Sequence, residues 1–252
     1  MSVRGLVRRW RAYRRQRWRE LVYRGLRRAL AASGGVADLQ YHTVIAIPPQ
    51  NLRLPQRLPK GLAVRELGDA DLSAITALRP ARGRAYAARL DRHHRALGAY
   101  LHDQLVAFVW LRWGAALLPS SFGAEWQLEP GMTWVYDLYS DTQVLGAITH
   151  IYAYLRDHAP AQGCRLLVGQ TDLDNFRSRH THASLGFCPC AGVWSVLLGG
   201  RWMHLMHAPA MGWRLQWGRA RLPLHRFTHG MAPAQVRAAG APARVANDLG
   251  ML

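Results

Sequence analysis

Between residues 61 and 206 the apolar positions alternate between strand-like and helix-like spacing, which predicts a domain of mixed α and β elements. Leu62-Ala-Val-Arg-Glu-Leu67 suits a first strand. Asp69 stands where a helix needs a capping acceptor, and the helix it opens extends through Leu78. A second helix is expected over Gly83 to Arg95, followed by a hairpin that pairs Leu97–His102 with Leu105–Trp113 around Asp103-Gln104. Met132 to Tyr139 is rich in residues that fit a pleated surface and predicts another strand. Val144 to His158 reads as a helix and Cys164 to Thr171 as a core strand. No internal repeat interrupts this order.

The segment from Asn175 to Phe187 is the most informative stretch. Asn175 places a side-chain acceptor where the first N–H groups of a helix lack partners. Gly186 lies one step past Leu185, where a left-handed residue turns the chain out of a helix without a Cβ penalty, and Phe187 opens an apolar run. About three turns fit between these limits. Phe176, Ala183 and Leu185 are the packing candidates, and the arginines face solvent or a phosphate.

In this register Asn175, Ser178, His182, Gly186 and Phe187 resemble the late helix of the GNAT superfamily of acyl-CoA-dependent acyltransferases, with His182 where that family usually has Tyr. The similarity extends upstream through Gly163-Cys-Arg-Leu-Leu-Val-Gly-Gln170 to Gln143-Val-Leu-Gly146-Ala147-Ile148. There Gln143 and Gly146 meet the first two marks of the family's pyrophosphate loop, and Ile148 replaces the third, a Gly or Ala. The resemblance implies a mixed, mostly antiparallel sheet flanked by helices and splayed near its middle to admit a pantetheine arm. It also implies acetyl-CoA or another acyl-CoA as co-substrate. Gln143, Val144, Leu145, Gly146 and Ala147 would hold the diphosphate, the backbone of Leu138, Tyr139 and Ser140 would pair with pantetheine, and Asn175 and Ser178 would reach the same arm. Small residues and unsatisfied N–H groups at a helix N-terminus suit an anion.

Acyl transfer to an amine sets the remaining expectations. An amine with a pKa near 10 is about 0.1% free at neutral pH, a penalty of roughly 4 kcal/mol that a base or a water relay must offset. Asp137, at the end of a predicted strand, is the candidate base, and His182 the candidate acid for the departing thiolate. Both also have bland readings, as a strand-end carboxylate and a structural histidine. The acceptor expected is a primary amine on a small molecule. The insertion from Gly114 to Gly131 and the region from Trp194 to Trp202 are where acceptor specificity is expected; aromatics stacking there would suit an amino sugar or a lipid-linked precursor.

Composition alters this picture at the ends. A chain of 252 residues, 50% of them hydrophobic, is long enough for a sizeable core. The formal charge of +18 comes almost wholly from arginine, Lys60 being the one lysine. Residues 1–60 read as an Arg-rich helical extension followed by a Pro-punctuated linker, 61–206 as the GNAT-like domain, and 207–252 as an arm or disordered tail. Residues 1–30 hold eleven arginines against Glu20, with Leu6, Trp10, Tyr13, Leu21, Val22, Leu26 and Leu30 at roughly helical spacing. Such a stripe suits a helix packed on the domain or on a partner subunit, an anionic membrane surface or, less well, nucleic acid. Three cysteines form no even framework, and no apolar run is long enough to span a bilayer. A cytoplasmic protein, peripheral to the inner face of the membrane if the arm binds there, is therefore expected. The histidine and cysteine spacings give no metal site. Oligomeric state is left open, as are two other classes: a noncatalytic acyl-CoA-binding or scaffolding module, and a basic nucleic-acid-binding protein.

Overall fold

A computed structural model describes residues 18, 20–30, 32–34, 36–89, 93–141 and 143–228. In chain order these form α1 (residues 20–30), β1 (Ala37–Ile47), β2 (Leu62–Leu67), α2 (Leu72–Leu78), α3 (Gly83–Ala87), β3 (His94–Leu101), β4 (Gln104–Trp113), β5 (Ala116–Pro119), β6 (Glu125–Leu128) and β7 (Met132–Ser140). There follow α4 (Ala147–His158), β8 (Leu166–Asp172), α5 (Phe176–Ser184), β9 (Cys188–Leu198), β10 (Arg201–Ala208), β11 (Gly212–Trp217), β12 (Arg221–Pro223) and α6 (Leu224–Thr228). Nine strands make one sheet in the order β11-β10-β9-β1-β8-β7-β4-β3-β2. Within it β7 and β8 run parallel, and every other neighbouring pair is antiparallel. This is the mixed, mostly antiparallel α/β architecture expected.

Alternation along the strands divides the core between the two faces of the sheet. Val109, Leu111 and Val135 point to one face, where Ile151, Tyr152 and Leu155 of α4 and Leu185 and Phe187 at the exit of α5 close over them. Phe108 and Trp110 point to the other face and pack with Ile75 of α2 and Tyr86 of α3. On that same face, further along the sheet, the small sheet β12-β6-β5 buries Phe122, Trp126 and Leu128 against Val44, Trp134 and Val193. Burying a large aromatic or aliphatic side chain contributes roughly 1.5–3 kcal/mol, so these layers supply the main driving force.

Several boundaries differ from those read in the sequence. Residues 37–47, assigned to a linker, form β1 and lie inside the sheet, antiparallel to both β8 and β9. The strand was missed because its core-facing alternate positions include the polar Gln40 and His42, which hide the usual two-residue pattern. Residues 207–228 are not a tail. They complete β10 and form β11, β12 and α6, with Leu222, Leu224 and Phe227 buried. Residues 1–17 and 229–252 lie outside the described residues, as does most of the Arg-rich arm. The helix expected over 83–95 is the five-residue α3, because β3 already begins at His94. The hairpin turns at His102 and Asp103, both with positive φ, as a two-residue turn between right-twisted strands requires.

α1 packs on the sheet through polar contacts as well as one ring. Tyr23 is buried against Trp194, Glu20 pairs with Arg179 at 2.7 Å, and Arg27 reaches Asp174 at 3.3 Å. The described part of the arm is thus a helix docked on the domain. No helix among the described residues is long and apolar enough to cross a membrane.

Candidate functional site

The parallel pair at the centre of the sheet comes apart. Hydrogen-bonded register joins Met132–Val135 to Leu166–Gly169 and stops there, although β7 continues through Ser140 and β8 through Asp172. Residues 132–135 are buried, whereas 136–140 are all partly exposed. The cause is a bulge: Phe108 pairs with Tyr139 and Trp110 with Tyr136, so Val109 faces both Asp137 and Leu138. Asp137 adopts φ 45°, a left-handed conformation that Asp tolerates better than most residues. Gly169 sits at the fork, where a Cβ would approach the Val135 carbonyl to 3.0 Å. Past the fork, β7 and β8 each keep their outer neighbour, β4 and β1, while their inner edges face each other unpaired. Two facing rows of backbone donors and acceptors form a slot suited to an extended, amide-bearing chain.

The N-terminus of α4 lies on the side of the sheet to which Val135 and Leu138 turn. Gly146 is its N-cap with φ 83°. The N–H groups of Gly146, Ala147, Ile148 and Thr149 have no partner inside the helix, which leaves a positive helix end. Ala147 is buried, and Ile148, partly buried, packs against the same apolar layer as Val144 and Leu138. Leu145 is exposed, and the Gln143 N–H is taken by Asp141 Oδ1 at 2.9 Å. Pro59 packs so closely on Gly146 that a Cβ there would lie 2.5 Å from the proline ring. The linker ahead of β2 therefore lies against the N-terminus of α4.

α5 carries the Asn175 motif in another way than its packing pattern suggested. Asn175 caps the helix, its Oδ1 accepting the Ser178 N–H at 3.0 Å, and the residue is exposed. Phe176 and Ala183 are exposed, so of the three expected packing residues Leu185 alone is buried; within the helix the buried side chain is His182. Its Nδ1 lies 2.7 Å from the Ser178 carbonyl and 3.2 Å from Ser178 Oγ, and its Nε2 lies 2.9 Å from the hydroxyl of the fully buried Tyr152. With Nδ1–H donating to the carbonyl, Nε2 accepts from Tyr152. The ring thereby ties α5 to α4.

Burial pulls the pKa of His182 down, and the bond to Ser178 works weakly the other way. The unfolded chain, whose histidines titrate near 6.5, binds more protons than the folded one between the two pKa values. The contribution is intact above about pH 6.5 and is lost as pH falls toward the folded pKa. His150 and His204 are shifted the same way by burial, so the melting temperature should fall below about pH 6.5. In His182→Phe this slope should shrink, while at higher pH the variant loses about 1–3 kcal/mol because the Tyr152 hydroxyl is left without a partner. An unchanged slope in melts across this range would show that His182 does not titrate in this way.

Asp137 lies on the wall formed with α2 and α3. Its carboxylate is 18% exposed and pairs with Arg82 at 3.3 Å and, more closely, with Arg89. Arg89 lies over the rings of Tyr86, Trp110 and Tyr136 at 5.1–5.7 Å. Leu138 turns to the α4 face, Tyr139 stacks on Phe108, and Ser140 Oγ bonds the Asp141 carbonyl. The opposite wall holds a pair the sequence did not disclose: His42 Nδ1 lies 2.6 Å from Asp172 Oδ1. Only the register of β1 with β8 brings these residues together, across 130 positions. The aromatics of the 114–131 insertion do not line the slot as stacking platforms. Phe122 and Trp126 are buried in the small-sheet layer, and the Trp126 indole N–H bonds Gln170, so the case for sugar stacking on them falls. A cavity of about 330 Å³ lined by Met206, Met211, Arg214 and Phe227 lies between β10–β11 and α6, away from the slot. No metal-ligating cluster occurs among the described residues.

Residues 65–187, the stretch that runs from β2 through α5 and contains the fork, match the model of the acetyltransferase (GNAT) family. This stretch belongs to the GNAT superfamily. The match excludes β1 and β9–β11, which complete the sheet on one side of the fork. Among solved structures, a conserved protein of unknown function from Staphylococcus epidermidis is 13% identical, with a TM-score of 0.49 over 67% of this chain and 64% of that one. This chain thus spans less than two thirds of that protein. A ribosomal-protein-alanine N-acetyltransferase from Brucella melitensis is 21% identical over 48% of this chain and 88% of that one, with a TM-score of 0.37. The aminoglycoside N-acetyltransferase AAC(6')-Iy in complex with CoA is 17% identical over 50% and 91%, with a TM-score of 0.39. No curated protein matches the chain. GNAT membership makes acyl-CoA-dependent acetyl transfer the general activity of the family to which the site belongs.

Proposed function

We propose that the chain transfers an acetyl group from acetyl-CoA to a primary amine of a small acceptor by direct attack in a ternary complex. The observation that carries this reading is the fork between β7 and β8, with unpaired inner edges beyond Val135 and Gly169 and the α4 N-terminus on one side. The pantetheine amides would pair with the edges of Leu138 to Ser140, and the diphosphate would meet the N–H groups of residues 146–149. A backbone N–H beside the bulge would polarise the thioester carbonyl as charge develops on its oxygen. Asn175 would offer its amide NH2 to the pantetheine arm, with Ser178 beside it.

Asp137 is the proposed base. Arg82 and Arg89 occupy part of its acceptor capacity, and Oδ1 retains room for an amine proton delivered directly or through water. His182 is reassigned to positioning. With both nitrogens engaged and its pKa lowered by burial, it holds α5 in place, and the thiolate leaves stabilised by N–H groups. Calorimetry and thermal melts with acetyl-CoA and free CoA test the slot, and release of CoA thiol over a panel of primary amines tests transfer. Stabilisation by both ligands with amine-dependent thiol release is expected. Absence of any shift at saturating acetyl-CoA would overturn the enzyme reading. A shift without turnover on any amine would leave a noncatalytic acyl-CoA-binding module.

A further inference from the structure

The outer face of β9, β10 and β11 is a sheet surface that α1 covers at Trp194 and that lies open along β11. Register places Trp194, Leu205 and Leu215 side by side on this face, and Val196, Met203 and Trp217 beside them. On β11 the alternate residues Trp213, Leu215 and Trp217 all project from it, with Trp213 61% and Trp217 67% exposed. Leu198, at the end of β9, is exposed on the same side.

α1 lies on this side of the sheet too, since Tyr23 packs on Trp194. At about 100° per residue, Glu20, Tyr23 and Arg27 form the docked side of the helix. Glu20 and Arg24 lean toward α5, where their partners Arg179 and Asp174 are. The opposite flank, carrying Val22 and Leu26, is therefore turned toward β10 and β11, and both residues are exposed. Trp18 and Leu21 extend the outward stripe, Trp18 being 68% exposed. Seven of the twelve large apolar side chains exposed among the described residues thus belong to α1 and this sheet face, and Trp18 just ahead of α1 is an eighth, which makes the surface a concentrated feature and not scattered exposure.

Charge selects the partner. Between Asp174 and Asp248 the sequence contains no acidic residue, and exposed Arg28, Arg201 and Arg219 flank the apolar face. Two copies apposed through this face would bring these arginines together, while the carboxylates beside α1, Glu20, Asp38 and Asp174, are already paired with Arg179 and Arg27. Nucleic acid would meet the charges and the indoles but has no use for the aliphatic Leu21, Val22, Leu26 and Leu215. A bilayer rich in anionic headgroups satisfies both parts, with indoles at headgroup depth, aliphatics in the acyl boundary and arginines on phosphates.

We infer that α1 and the outer face of β9–β11 form one docking surface for an anionic lipid bilayer. The test is cosedimentation of the full chain with vesicles of phosphatidylcholine alone and of phosphatidylcholine mixed with phosphatidylglycerol, with tryptophan emission recorded in parallel. Binding to the anionic vesicles, a blue shift and weakening by salt are expected. The double variant Trp213→Ser/Trp217→Ser, altered at exposed positions on an edge strand, should melt as the parent does and bind about tenfold more weakly. Leu26→Ser on α1 should weaken binding as well. Failure to bind anionic vesicles, or equal binding of parent and double variant, would overturn the inference. So would a dimer, by sedimentation, that the double variant dissociates, or retention of RNA that it abolishes.

Discussion

Gly146→Asp is expected to abolish acetyl-CoA binding, seen in calorimetry as the loss of any measurable heat at concentrations that saturate the parent. Three separate effects converge on this position. The backbone is left-handed there, with φ 83°, and a residue with a Cβ pays about 1–2 kcal/mol to hold it. The new side chain would be driven against the Pro59 ring. A carboxylate at the helix N-terminus would also occupy and neutralise the positive end that a diphosphate needs, and two anions a few ångströms apart repel by about 1 kcal/mol even in water-like surroundings. Gly146→Ala separates the first two effects from the third, because it adds bulk and strain without charge. It should weaken binding while leaving heat detectable. Melts of the free variants show whether each folds. Parent-like affinity in a folded Gly146→Asp protein would remove α4 from the cofactor site.

The sequence made the central strands and the helices α4 and α5 legible because each combines clear periodicity with a signal at its end. Asn175 at the start of α5 and Gly186 past its end place the helix to within a residue of its observed limits. The fork was foreseen only through family resemblance. Its physical cause is a bulge at Asp137, and no spacing rule marks a non-glycine residue that will take a positive φ. β1 was illegible for a different reason. A strand that lies between two neighbours contributed by residues 166–198 is specified by partners more than a hundred positions away, and its buried polar His42 makes sense only beside Asp172. His182 shows the limit of motif transfer. It stands where the family has Tyr, yet the shorter ring reaches Tyr152 of the neighbouring helix, a contact set by the approach of α4 to α5. β11, β12 and α6 were read as tail because Pro, Gly and Arg dominate that composition. Leu222, Leu224 and Phe227 nevertheless supply enough apolar surface to close the layer over β6.

Asp137→Ala is expected to lower kcat/KM for the best amine by a factor of about 10²–10³ while leaving acetyl-CoA affinity nearly unchanged. The carboxylate stands on the α2–α3 wall, not at the α4 N-terminus, so its loss should spare the cofactor. Two functions would disappear together: proton acceptance from the amine and the anchoring of Arg82 and Arg89. Asp137→Asn helps to divide them, since the amide keeps the shape and one carbonyl acceptor but cannot take a proton at working pH. If Asp137 is the base, Asn should be nearly as poor as Ala, and the acidic limb of the pH–rate profile should change in both variants. If the residue only anchors the arginines, Arg89→Ala should reproduce the loss, and the profile of Asp137→Asn should keep the parent's shape at lower amplitude. Neutralising Asp137 also leaves Arg89 stacked among Tyr86, Trp110 and Tyr136 without its anion, and some loss of stability is expected. Comparing kcat at temperatures well below each variant's melting point keeps that loss from mimicking a chemical one. Parent-like turnover in Asp137→Asn would move the proton acceptor elsewhere in the slot, and His42 with Asp172 on the facing wall would be the next pair to replace.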